Sequence, residues 1–139
     1  MELADLQNIK DTVDKLVEKY ETADPWILCE RLNIIVLISD LPIGVNGFYQ
    51  LIKGRQIIHI SRWVSNTQMK LVCAHELAHA ILHRNQNICH RVGNAKMEKE
   101  AEYFKHYLLR LEVNEVSKWS REDISNFTHL SEDMIILDF

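Results

Sequence analysis

The chain has 139 residues, 47% hydrophobic and 26% charged, with a formal net charge of -4. That length and balance suit one globular domain, residues 1–139, and exclude a disordered or fibrous chain. The mild acidity argues against direct nucleic-acid binding, for which a basic stripe would be expected. Three cysteines, Cys29, Cys73 and Cys89, form an odd set without CxxC spacing. A reducing compartment is therefore expected rather than a disulfide framework. The charged N-terminus has no signal-peptide core, and no apolar run approaches the 18 or so residues needed to cross a bilayer. A cytoplasmic protein without membrane association is the expectation.

Leu3, Leu6, Ile9, Val13, Leu16, Val17 and Tyr20 recur at helical spacing and predict an opening amphipathic helix. Asp24 and Pro25 suit the cap and first turn of a short helix, Trp26 to Leu32. Ile34 to Ile38 is a β-branched strand-like run, and Ser39 to Gly47 is a loop carrying Pro42, Gly44 and Asn46. Phe48 to Ile52 and Gln56 to Ile60 read as a hairpin around Lys53-Gly54-Arg55. Ser65 and Gln68 form a capping box for a helix running to about His83. Asn85 to Asn94 reads as a loop. Met97 to Val116 reads as a long helix with Met97, Ala101, Phe104, Leu108 and Leu111 on one stripe. Ser120-Arg121-Glu122-Asp123 signals a short helix, and Met134 to Leu137 is an apolar run expected to dock on the core. The fold class expected is α+β, a zincin-like domain with a small sheet packed on helices.

The predicted helix before His83 contains His75-Glu76-Leu77-Ala78-His79, an HExxH motif. Histidines four apart share one helical face and can share a Zn²⁺, while the glutamate beside the first can take a proton from the attacking water. A zinc site needs a third protein ligand. The carboxylates of the next helix, Glu98, Glu100 and Glu102, are the candidates, and periodicity alone does not choose among them. His83 extends the pattern to HxxxHxxxH. A ligand four residues farther along a straight helix would lie too far from the metal, so His83 reads as an indirect supporter of the site or as helix-end surface.

His90, His106 and His129 carry no spacing argument, whereas His59 stands on a predicted strand near the site. Cys73 points elsewhere on the helix and reads as core packing. Glu76 would act as general base and then return a proton to the leaving amine. Tyr49, His59, Tyr103 and His106 are possible donors to the developing oxyanion. Gln56 to Ile60 is a candidate edge strand for an extended peptide.

The strings CAHELAHAILH, residues 73–83, and EKEAEYFKHYLL, residues 98–109, follow one another as in the ImmA/IrrE family of zinc metallopeptidases. The chain resembles that family over roughly residues 30–110, including the glycine-bearing segment LPIGVNGFYQLIKGRQIIHIS, residues 41–61. The resemblance implies that His75, His79 and Glu98 hold Zn²⁺ and that Glu76 is catalytic. Three positions depart from the family pattern: Glu102 stands for Asn or Asp, Lys105 for Ala, and Arg110 for Pro. The resemblance further implies a regulatory, site-specific endopeptidase that cleaves a helix-turn-helix repressor and relieves repression of phage or mobile-element genes. The alternatives are a zinc-stabilised antirepressor that binds its repressor without cutting it, and a zinc hydrolase of a non-peptide substrate in a closed pocket.

Overall fold

The computed structural model describes residues 2–86, 88–89 and 94–116. Its elements in chain order are α1 (Leu3–Tyr20), α2 (Pro25–Arg31), β1 (Ile35–Ser39), β2 (Gly47–Ile52), β3 (Arg55–Ser61), α3 (Asn66–Leu82), β4 (Ile88–Cys89) and α4 (Ala95–Val116). His90, His129, the Ser120 cap signal and the Met134 to Leu137 run lie outside the described residues. The architecture is α+β, as expected from the sequence.

Local chemistry sets the helix starts. The Asp24 carboxylate accepts from the Trp26 amide at 2.9 Å, and Pro25 occupies the first turn. Ser65 Oγ accepts from the Gln68 amide at 3.2 Å at the head of α3. Asn94 Oδ1 accepts from the Lys96 amide at 2.8 Å, starting α4 two residues before the expected Met97. No described helix is long and apolar enough to cross a membrane.

The sheet order is β1-β3-β2-β4, with β1 parallel to β3 and the other pairs antiparallel. A two-residue turn joins β2 to β3, and both its residues, Lys53 (φ 49°) and Gly54 (φ 77°), lie in the left-handed region. That geometry matches the twist of a tight hairpin. Two expectations are corrected here. The strand expected over Gln56 to Ile60 is interior, because β1 pairs along one side of it and β2 along the other, so β3 offers no edge to a peptide. Within the expected loop 85–94, Ile88 and Cys89 form a two-residue strand against Tyr49 and Phe48. The pairing uses open backbone groups of β2 and needs no alternating pattern of its own.

Gly47, Tyr49 and Leu51 of β2 share a face with Gln56, Ile58 and Ile60 of β3, and this face packs on α3. Helix α3 is thereby held between the sheet and α4, while α1 packs on the far side of α4. Of the expected α4 stripe, Ala101, Phe104 and Leu108 are fully buried. They join Val13, Leu28, Tyr49, Ile58, Ile60 and Leu77 in one core. Burying the middle of α3 from two sides fixes the HExxH turn by packing rather than by helix propensity.

Candidate metal centre

His75, Glu76 and His79 lie in the buried stretch of α3 and are 5%, 1% and 0% exposed. Polar side chains this deep must be matched by partners. Much of the match comes from the first two turns of α4. Glu98 Oε2 lies 2.8 Å from His75 Nε2, and Glu98 Oε1 lies 3.1 Å from His79 Nε2. The donor atoms of His75, His79 and Glu98 all fall within 4.8 Å of one another, a group that could hold a metal ion.

Both Nε2 atoms thus face Glu98, and both Nδ1 atoms face outward from it. His75 Nδ1–H donates to Glu102 Oε2 at 3.0 Å. Glu102 in turn accepts from Lys105 Nζ at 2.7 Å. Burial alone would raise the Glu102 pKa, but hydrogen bonds from Lys105 and His75 outweigh it and hold the carboxyl below its ordinary value. Two of the three departures from the family pattern, Glu102 and Lys105, are therefore bonded to each other. His79 Nδ1 lies 2.9 Å from His83 Nδ1, and His83 Nε2–H donates to Glu100 Oε1 at 3.2 Å.

The sheet comes unusually close to α3 at this point. A Cβ on Gly47 would stand 2.4 Å from Val72 Cγ1, 2.7 Å from the His59 carbonyl oxygen and 3.5 Å from Glu76 Cγ. Glycine is what lets β2 pass over the turn that carries Glu76. A recess of about 160 Å³ opens beside His75, lined by Asn46, Gln68, Leu71, Val72, Glu102 and Lys105.

Several sequence candidates are carried elsewhere. Tyr49 is fully buried, and its hydroxyl donates to the Arg84 carbonyl at 2.7 Å while accepting from Gln56 Nε2 at 3.0 Å. Tyr49 is thus committed to the core and does not serve the cluster. His59 lies on the sheet face turned away from α3, stacked on Phe48 at 4.3 Å, with Nδ1 3.2 Å from Ser39 Oγ and Nε2 2.8 Å from Gln50 Oε1. It is therefore also removed from the site, and burial pushes its pKa down. Tyr103 is half-buried against the core and His106 is exposed on α4. Cys73 Sγ lies 3.8 Å from Cys29 Sγ. Its pKa is driven up, first by that contact and then by burial, so it packs as a thiol.

Sequence reasoning missed Gln56, whose amide donates to the Ala80 carbonyl at 2.7 Å and ties β3 to the last turns of α3. Its signal was available. Alternation places it inward with Ile58 and Ile60, where a polar residue requires partners.

An HExxH helix under a small sheet, with a carboxylate from the following helix closing on both histidines, is a zincin-like arrangement. The chain belongs to the ImmA/IrrE family of metallopeptidases: the family profile described as the IrrE N-terminal-like domain matches residues 29–129. It is similar to an uncharacterized immunity region protein 2 of Bacillus phage phi105, 37% identical over 79 residues. That match covers 57% of this chain and 50% of the phage protein, so the chain aligns with half the length of that relative. It is also similar to the metallopeptidase ImmA of Bacillus subtilis strain 168, 28% identical over an alignment of 134 positions. There the match covers 87% of this chain and 78% of the relative.

Proposed function

We propose that this chain is a zinc-dependent, site-specific endopeptidase that cleaves a helix-turn-helix repressor and so relieves repression of phage or mobile-element genes. The observation that carries the reading is the convergence of His75 Nε2, His79 Nε2 and the Glu98 carboxylate beside Glu76. The donor set suits zinc, since two imidazoles and a carboxylate are common ligands of catalytic zinc. Neighbouring donors in a tetrahedral zinc site lie about 3.3 Å apart when each bond is about 2.0–2.1 Å long. The separations of 2.8 and 3.1 Å run to the two different Glu98 oxygens, and with one donor atom from each residue the three lie within 4.8 Å of one another, so binding needs a modest readjustment of these side chains. Bound there, the ion would supply Lewis acidity toward water and the scissile carbonyl.

The chain's own residues would do the rest. Glu76 accepts the proton of the attacking water and passes one to the departing amine. The recess lined by Leu71, Val72, Gln68 and Lys105 receives a side chain flanking the scissile bond. Tyr103 and His106 are the remaining sources of an oxyanion donor. The repressor as partner is supported by the names of the two relatives, one an immunity-region protein and the other ImmA. A net charge of -4 suits docking to a basic DNA-binding protein.

The test is incubation of the zinc-loaded protein with the helix-turn-helix repressor encoded beside it, followed by intact-mass analysis, with Glu76→Gln run in parallel. A single cut made by the parent and absent with the variant is the expected result. Tight complex formation by both, with no cut by either, would replace the peptidase with a non-cleaving antirepressor.

A further inference from the structure

The chain of rings beyond His79 fixes more than packing. His83 caps α3, and its backbone N–H donates to the His79 carbonyl at 2.8 Å. Its side chain is 8% exposed, and both ring nitrogens are engaged, one by His79 and one by Glu100. A surface histidine at a helix end would have no reason to be bonded at both nitrogens.

The proton positions follow from the partners. A carboxylate only accepts, so His83 Nε2 must carry the proton it gives to Glu100. In a neutral imidazole the other nitrogen is then an acceptor, so His83 Nδ1 takes a hydrogen bond from His79 Nδ1–H. With its proton on Nδ1, His79 turns a lone pair at Nε2 toward Glu98 Oε1 at 3.1 Å, two acceptors facing each other that a shared cation would bridge.

We propose that His83 and Glu100 are positioning residues that lock His79 in the tautomer whose Nε2 faces the cluster, a two-member relay where His75 has the single carboxylate Glu102. The inference rests on the metal-centre reading above and extends it. It gives all three candidate carboxylates of α4 separate work: Glu98 closes on the two Nε2 atoms, Glu102 backs His75, and Glu100 backs His79 through His83. Partners of this kind orient a ligand ring and raise its basicity, and removing one typically weakens metal binding about 10–100-fold.

The test measures zinc affinity by competition with a chromogenic chelator in the parent, His83→Phe, His83→Gln and Glu100→Met. Nitrogen-detected NMR reads the His79 tautomer in the same proteins loaded with zinc. Phenylalanine fills the space without accepting a proton. Glutamine can both accept from His79 and donate to Glu100. The expected results are an Nδ1–H tautomer at His79 in the parent, a roughly 10–100-fold weaker zinc affinity in His83→Phe, and recovery in His83→Gln. Glu100→Met, at a part-buried position of α4, keeps the test open if His83→Phe does not fold. It should weaken zinc binding in the same direction. An Nε2–H tautomer in the parent would overturn the relay, as would parental zinc affinity in both His83→Phe and Glu100→Met. Failure of the parent itself to bind zinc would instead overturn the metal centre on which the relay depends.

Discussion

Replacing Gly47 with alanine puts a methyl group where β2 crosses α3, 2.4 Å from Val72 Cγ1 and 2.7 Å from the His59 carbonyl oxygen. The first contact is about 1 Å inside an ordinary carbon–carbon separation. The second is with backbone of the paired strand, which has little freedom to move. Overpacking of this kind costs about 1–3 kcal/mol. For a domain of this size that corresponds to roughly 4–12 °C in Tm. Val72→Ala, which removes two methyl groups from a buried side chain, should cost about 1.5 kcal/mol alone. Combined, the two should cost less than their sum by about 1 kcal/mol or more, because Val72→Ala removes the nearer obstacle. Recovery should remain partial, since the His59 carbonyl stays in place. Urea unfolding of the metal-free parent, the two single variants and the double variant supplies all four free energies. A Gly47→Ala stability within about 0.5 kcal/mol of the parent would refute a steric limit at this crossing. Additivity of the two substitutions to within about 0.5 kcal/mol would refute Val72 as the nearer obstacle.

Three further outcomes are expected. Tyr49→Phe should lose about 1–3 kcal/mol in chemical denaturation, because the Arg84 carbonyl and the Gln56 amide each lose a buried partner. Asp24→Ala should lose about 0.5–2 kcal/mol in the same assay by removing the cap of α2. His59 should titrate below its ordinary value of 6.5 when followed by NMR, since burial disfavours its charged form. The unfolded chain then binds the proton first on acidification. The contribution of His59 to stability is complete above the unfolded pKa and falls as pH drops through that value toward the lower folded one. His59→Gln should flatten the stability profile over that window, and an unchanged profile would remove burial as the cause.

The helices were the most legible part of the fold. A 3.6-residue period survives tertiary context when one face is buried, as Ala101, Phe104 and Leu108 are, and the capping side chains of Asp24 and Ser65 act locally. Sheet order was not legible in the same way. The hairpin predicts its own pairing through Lys53-Gly54, but nothing in β3 announces that β1 will lie parallel along its other side. The same non-locality hid the two-residue β4. Within the site, Glu98, Glu100 and Glu102 could not be separated by periodicity because all three face histidines of the α3 segment: Glu98 meets His75 and His79, Glu102 meets His75, and Glu100 meets His83. The positions of Tyr49 and His59 could have been read from alternation. Tyr49 shares the inward face with Leu51 and Gly47, and His59 sits between the inward Ile58 and Ile60, facing away from α3.

Glu98 joining the two histidines of α3 around one ion is the feature on which the proposed activity depends. The most direct measurement is zinc stoichiometry and affinity for the parent, Glu98→Ala and Glu76→Gln, each shown to be folded by circular dichroism. One zinc per chain is expected in the parent and in Glu76→Gln, with binding weakened by more than about 100-fold in Glu98→Ala, beyond the usual effect of losing an indirect partner. Parental affinity in Glu98→Ala would contradict the assignment of the third ligand, and loss of zinc in Glu76→Gln would contradict its role as a base that does not hold the metal.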